Sequence, residues 1–311
     1  MNKKRAALLS IASNSALVVL KLIVGAMSGS VAVISEAVHS ATDLLASVIA
    51  YLSVRMSDNP PDADHPYGHG KIESISSLAE ALLIFGAALF IIHESVTKLQ
   101  HPHTASPHLG PAIAVMALSV LTNFFLSRHL RKVALQTDSL ALLADAEHLH
   151  VDVITAAGVF LGLILTQVTR VDWLDPLVAL GVAVLILQAA WDLTSKSLSP
   201  LMDACLPPAE ENMIRVVLNS DERVLGYHKL RTRKSGSQRH VDLHVQLDDD
   251  CSLLVAHEIT EDLEQAIREV LPAIHINIHV EPFLSEMQHQ LEVHGTPPEE
   301  VNLKYQPLLK V

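Results

Sequence analysis

Two pairs of residues in this chain share one spacing and one chemistry. His39 and Asp43 stand four positions apart in ISEAVHSATDLLASV, and His148 and Asp152 repeat that spacing in ADAEHLHVDVITAAG. Residues i and i+4 lie on one face of a helix, so each pair would present an imidazole and a carboxylate to the same side. Two such helices laid together would offer two nitrogen and two oxygen donors to one point, a set that suits tetrahedral zinc. Two carboxylates and two neutral imidazoles carry a charge that one divalent cation cancels, and without the cation protons can occupy the same groups. Histidine titrates near neutral pH, so metal and protons would compete for one site, which is the minimum chemistry of exchange.

The elements that must carry these pairs are membrane-length helices. Half of the 311 residues are hydrophobic, yet the formal net charge is −12, which predicts an apolar region joined to an acidic, soluble one. About 20 apolar residues cross a bilayer as a helix, and six stretches qualify: 6–26, 31–54, 75–92, 111–126, 140–166 and 174–191. The first is read as an anchor and not a cleaved signal peptide, being long and uniformly apolar. An aspartate at the bilayer centre costs about 2.5–3.5 kcal/mol on insertion scales, so Asp43 and Asp152 need partners or a wet cavity. Glu36 and His150 fall off the shared faces and are assigned to a cavity mouth or to bonds with neighbouring helices.

Loop charges set the orientation. Lys3, Lys4 and Arg5 precede the first span, Arg55 and Lys71 lie between the second and third, Arg128, Arg131 and Lys132 between the fourth and fifth, and Lys196 follows the sixth. The opposite loops hold only Lys98 and Arg170. The positive-inside rule therefore predicts a multi-pass protein with both termini in the cytoplasm.

Beyond residue 201 the texture becomes soluble. Residues 209–220 and 253–270 read as helices, 227–234, 240–247 and 275–280 as strands, and the SGSQ segment as a hairpin turn. That order, αββαβ, predicts a small α+β sandwich over 202–285 with helices on one sheet face, following a transmembrane domain over 1–201. The polar, proline-containing stretch from Phe283 onward reads as an extension, with 286–311 expected to be a flexible tail. Cys205 and Cys251 are too few for a disulfide framework.

Further ligand candidates lie outside the spans. In PPDADHPYGHGKIES, Asp62, His65 and His69 offer one oxygen and two nitrogens from a loop stiffened by prolines and bent at Gly68 and Gly70. In the soluble region His279 and Glu281 share one strand face by the period of two, His228 and His244 lie on the two strands joined by the hairpin, and His257 sits on the following helix. These five could converge at a sheet edge or at a dimer contact.

Taken together, the six spans, the HSATD and HLHVD pairs, the DADHPYGHGKIES loop and the αββαβ region resemble the cation diffusion facilitator family of metal/proton antiporters, particularly its bacterial zinc and iron-type efflux members. The resemblance covers about residues 5–285. It implies a six-helix all-α transmembrane domain and a ferredoxin-like, metallochaperone-like cytosolic domain in a multi-pass protein of the bacterial inner membrane. It implies a transport site of His39, Asp43, His148 and Asp152, a loop site of Asp62, His65 and His69, and a cytosolic site drawing on His228, His244, His257, His279 and Glu281 that binds zinc at the interface of a homodimer. Lys71 and Asp203 match positions that form a charge interlock near the membrane surface in such dimers. Zn²⁺ is the expected cargo, with Cd²⁺, Co²⁺ and Fe²⁺ as alternatives, exchanged for protons. Some bacterial members carry aspartate at the position of His39, which goes with broader acceptance of cadmium or iron, so His39 points to zinc. Glu281 stands where aspartate is common, and Glu147 where some members have an apolar residue.

Other function classes fit less of the chain. A membrane-anchored metal sensor or store would use the soluble histidines and leave the intramembrane pairs without a role. A membrane metalloprotease needs an HExxH-like motif, and the chain has none. It has no Gly-rich phosphate loop, no nucleophile elbow and no basic stripe for nucleic acid.

Overall fold

The computed structural model describes residues 2–28, 31–100, 110–169, 171 and 173–294. After Leu201 the chain divides into two compact units. Among the described residues, the first holds six long helices: α1 (Lys3–Ser28), α2 (Val31–Ser57), α3 (Lys71–Gln100), α4 (Gly110–Thr137), α5 (Leu140–Thr169) and α6 (Leu174–Leu201). Several outrun the apolar stretches that announce them; α4 and α6 each continue about ten residues past the hydrophobic segment, because helical hydrogen bonding does not stop where the side chains turn polar.

This unit turns many large apolar side chains outward, as a lipid-facing surface requires. Leu22, Ile23, Leu82, Phe90, Phe125, Leu185 and Trp191 point outward, whereas the interior combines the small residues Ala6, Ala46, Ala50, Ala81, Ala88, Ala144, Ser10, Ser47 and Ser77 with the buried Ile84, Leu130, Leu142, Leu149 and Ile186. Small interior residues let helix backbones approach closely where lipid removes the hydrophobic reason to associate. Among the described residues, Lys3–Met27, Lys71–Gln100 and Pro176–Leu201 are long and apolar enough to cross a membrane.

The second unit starts with α7 (Pro208–Ser220), which places Pro208 at its first turn, where a missing N–H costs nothing. Strands β1 (Gly226–Ser235) and β2 (Gln238–Leu247) pair antiparallel, and β3 (Ile274–Pro282) pairs parallel to β2, giving the order β1-β2-β3. A two-residue turn joins β1 to β2 with Gly236 at φ +60°, the left-handed backbone such hairpins require. Helix α8 (Leu253–Val270) crosses between β2 and β3 and is capped by Ser252, whose hydroxyl accepts the Val255 N–H. Its buried stripe, Ala256, Ile259, Leu263 and Ile267, has helical spacing and packs with Ile214 and Leu218 of α7 against Val241, Leu243, Val245 and Leu247 of β2.

Two features depart from the sequence reading. The register of β1 slips between His228 and Arg231, a bulge with Lys229 at φ +51°, which breaks the simple period-two alternation. The stretch read as the start of a loose tail is a helix, α9 (Phe283–His294). Asp249 holds its first turn, accepting the N–H groups of Leu284 and Ser285 and the Ser285 hydroxyl at 2.7, 3.0 and 2.6 Å, while Phe283 is buried. Residues 295–311, the rest of that expected tail, lie outside the described residues.

Candidate metal centre

Helices α2 and α5 bring the two His/Asp pairs together. His39 Nε2 lies 4.0 Å from Asp43 Oδ1 and 3.9 Å from Asp152 Oδ1, and His148 Nε2 lies 3.3 Å from Asp43 Oδ1. Ligand atoms of His39, Asp43 and Asp152 all fall within 4.8 Å of one another, and Asp43 links His148 to them. Metal–ligand bonds of about 2.0–2.2 Å around a tetrahedral ion put neighbouring donors about 3.4 Å apart, so this grouping needs only small side-chain adjustments to enclose a cation. The His39 side chain is 56% exposed and that of Asp43 only 7%, so His39 forms a rim and Asp43, His148 and Asp152 the floor. His148 Nδ1 and Asp152 Oδ2 are buried with no hydrogen-bond partner among the described residues, which leaves polar capacity for a ligand.

Glu147, which the sequence left without a role, faces Arg131 of α4 at 3.7 Å, away from the donor cluster. His150 is exposed on α5. The side chain of Glu36 lies outside the described residues. Lys21 of α1, which sequence reasoning passed over, is buried and donates to Ser40 Oγ at 2.8 Å, within electrostatic range of Asp152.

Nearer the beginning of α3, a second polar assembly binds four helices. Glu73 accepts Lys3 Nζ of α1 at 2.8 Å, the Ser57 hydroxyl of α2 at 2.7 Å and the Ser139 hydroxyl preceding α5 at 2.6 Å. Lys3 Nζ also contacts Asp58 Oδ1 at 2.7 Å.

The loop triad also assembles. Asp62 Oδ1 lies 3.3 Å from His65 Nδ1 and Asp62 Oδ2 lies 3.3 Å from His69 Nε2, with the two rings 4.6 Å apart. Gly68, at φ +78°, allows the turn that brings His69 back to Asp62. The His65 backbone N–H leads the contacts that hold the Asp62 carboxyl below its ordinary range, so it is ready as an anionic ligand.

In the second unit, Glu281 is the hub. His228 Nε2 is 2.6 Å from its Oε2, His244 Nδ1 is 2.5 Å from its Oε1, and His279 Nε2 is 3.7 Å from Oε1. Register explains the convergence: His228, His244 and His279 are cross-strand partners on adjacent strands, and the bulge follows His228 directly. Burial pushes the Glu281 carboxyl up, but hydrogen bonds from His244 and His228 outweigh it and hold the group below its ordinary range. Three imidazoles and a carboxylate fit a zinc donor set. His257 is exposed on α8 and lines a cleft with Glu281, outside the compact ligand group.

Lys71 opens α3. Asp203, at φ +55°, pairs with Arg233 at 3.4 Å within its own unit.

Residues 7–202 match the cation efflux transmembrane domain, and residues 206–283 match the cytoplasmic domain of cation efflux proteins. The chain is 36% identical over 302 residues to the cation-efflux pump FieF of Pectobacterium atrosepticum, covering 93% of this chain and 98% of that one. It is 35% identical over 278 residues to an uncharacterized transporter of Synechocystis sp., covering 89% of each. Among solved structures, the metal-bound C-terminal domain of the CzcD transporter from Thermotoga maritima is similar at 27% identity and TM-score 0.23, covering 25% of this chain and 94% of that one.

Proposed function

The chain belongs to the cation diffusion facilitator family, and from that premise we propose that it exports Zn²⁺ from the cytoplasm in exchange for protons, as a homodimer working by alternating access. It is an integral membrane cation-efflux transporter and not an enzyme. The observation that carries the reading is the grouping of His39, Asp43, His148 and Asp152 at the α2/α5 contact. Two nitrogens and two oxygens favour Zn²⁺ over the harder cations, and Cd²⁺, Co²⁺ and Fe²⁺ are competing cargoes.

Asp43 and Asp152 supply the negative charge, and His39 and His148 the neutral donors. Metal departure leaves both carboxylates without a countercharge in a poorly solvated layer, so proton uptake by the four side chains accompanies release. Rocking of six membrane-crossing helices would expose the group to each side in turn. The lysines and arginines at residues 3–5, 55, 71, 128, 131, 132 and 196 support placing both termini in the cytoplasm, in what we take to be a bacterial inner membrane.

We read the second unit as the metallochaperone-like dimerisation domain. His228, His244, His279 and Glu281 would hold Zn²⁺ there, with His257 contributing across the dimer contact and Lys71 and Asp203 interlocking the subunits. Asp62, His65 and His69 form an additional cation-binding loop.

The test is Zn²⁺ flux into proteoliposomes under an imposed pH gradient, with Cd²⁺, Co²⁺ and Fe²⁺ as competitors. Asp43→Ala and Asp152→Ala should each abolish pH-driven flux. Undiminished flux in both variants would sink the assignment.

A further inference from the structure

Helices α1, α2, α3 and α5 carry polar side chains at three successive levels. One level is the Lys3/Ser57/Glu73/Ser139 assembly. Another is the His39/Asp43/His148/Asp152 group. Between them stand Ser10 and Asn14 of α1, Ser47 of α2, Glu80 of α3 and Asp145 of α5, all buried. At about 1.5 Å of rise per residue, Glu80 is about 10 Å along α3 from Glu73, and Asp145 is about 4.5 Å, less than one turn, before His148.

The intermediate level has an unbalanced chemistry. Glu80 and Asp145 are both 0% exposed and lie within electrostatic range of each other. Asp145 Oδ1 accepts the Ser47 hydroxyl at 3.0 Å. Ser47 Oγ in turn accepts Asn14 Nδ2 at 2.7 Å and lies 3.0 Å from Ser10 Oγ. The three remaining carboxylate oxygens, Glu80 Oε1, Glu80 Oε2 and Asp145 Oδ2, have no hydrogen-bond partner among the described residues. Buried carboxylates are otherwise paired, hydrogen-bonded or metal-bound; Asp145 lies within electrostatic range of His148 and of Asp43, whereas the described surroundings of Glu80 supply it with Asp145 and no cationic group.

We propose that Glu80 and Asp145, oriented by the Ser47, Asn14 and Ser10 side chains, form a second divalent-cation site inside the membrane unit, built from oxygen donors alone. Its two carboxylates match a divalent charge, and three oxygens already lack partners. Its place between the Glu73 assembly and the His/Asp group makes it a station on the path of the exported ion, so the proposal rests on the exporter reading above. An all-oxygen set is harder than the His/Asp group, and Mn²⁺ is therefore the probe that separates the two sites.

The experiment counts Mn²⁺ bound to the full-length protein by electron paramagnetic resonance and follows Zn²⁺ binding in parallel. Glu80→Gln and Asp145→Asn should each remove one bound Mn²⁺ per chain while Zn²⁺ still binds at the other clusters. Ser47→Ala should weaken that Mn²⁺ about tenfold or more, as loss of an orienting hydrogen bond does. Asp43→Ala/Asp152→Ala should retain it. An unchanged Mn²⁺ count in both monodisperse carboxamide variants overturns the proposal; if infrared spectra of the wild type then show a carboxylic-acid band that Glu80→Gln removes, the pair holds a proton instead. If either carboxamide variant fails to fold, the other and Ser47→Ala decide the question. Failure of the exporter reading would appear separately, as absent pH-driven Zn²⁺ flux in the wild type.

Discussion

His148 Nε2 lies 3.3 Å from Asp43 Oδ1, joining α5 to α2 across 105 positions of sequence. Each residue has its own partner one turn away on its own helix, yet the shortest contact in the group is the one between helices. A donor set divided between two helices changes geometry when the helices move against one another. A group contained on a single helix would not, so under the proposed alternating access this division would couple ion binding to helix motion.

The rim position of His39 makes it the place to alter selectivity. His39→Asp replaces an exposed nitrogen donor with an oxygen and adds negative charge beside Asp43 and Asp152. The expected outcome is a lower preference for Zn²⁺ over Cd²⁺ and Fe²⁺, read as the ratio of competing fluxes in proteoliposomes. An unchanged ratio would remove His39 from the coordination shell.

In the second unit, two imidazoles depend on one carboxylate. Glu281→Ala removes the partner of both His228 and His244 and leaves His228 buried. Zinc affinity of this cluster should fall by about 10-fold to 100-fold, measured as a lost high-affinity phase in a binding isotherm of the full chain. His257→Ala, outside the compact group, should weaken zinc binding less, and an equal loss in the two variants would contradict the central place given to Glu281.

Glu73 and Glu147 are both glutamates facing a basic residue on another helix, and burial sets them apart. Glu73→Ala removes one of the two carboxylates that hold Lys3, whose side chain is 11% exposed and which keeps Asp58 at 2.7 Å, and deprives Ser57 and Ser139 of their acceptor; losing buried hydrogen bonds to a charged group costs about 1.5–3 kcal/mol each. Glu147→Ala breaks a 3.7 Å contact to an exposed Arg131, worth about 0–1 kcal/mol. Thermal unfolding in detergent should therefore show a large fall in Tm for the first variant and almost none for the second. Similar shifts would mean that the Glu73 assembly does not hold the helix ends together.

The residues brought together at α2/α5 and in the loop were legible because their signals are local: i, i+4 spacing in HSATD and HLHVD, and closely spaced ligands around a glycine in DADHPYGHG. The facing of two helices is not local, so the Glu73 assembly and the Glu80/Asp145 level, each drawn from three or more helices, could not be read from spacing. Glu147 likewise had no partner until Arg131 of α4 was placed beside it. In the soluble unit the element order was readable from periodicity, whereas the bulge after His228 depends on cross-strand register. The polar composition of α9 concealed a helix because its stabilising contact, the Asp249 carboxylate, comes from 35 residues upstream of Leu284.

Acid should loosen the second unit before it affects the apolar helices. Arg239 holds Glu210 through two hydrogen bonds of 2.8 and 2.7 Å, tying β2 to α7, and these lead the effects that lower the Glu210 carboxyl below its ordinary 4.5. Arg223 does the same for Asp221, below its ordinary 3.8. A carboxylate whose pKa is lower in the folded protein than in the unfolded chain adds stability that is fully present above the unfolded value and is lost as pH falls through the folded one. Stability from these pairs should therefore be constant above about pH 5 and decline below it. Glu210→Gln removes the ionisable partner, so the variant should be less stable at pH 6 and lose less on acidification than the wild type. Hydrogen exchange of α7 and β2 amides from pH 6 down to pH 3 reads both effects, and parallel acid curves for the two proteins would show that the Arg239–Glu210 pair does not hold α7 to the sheet.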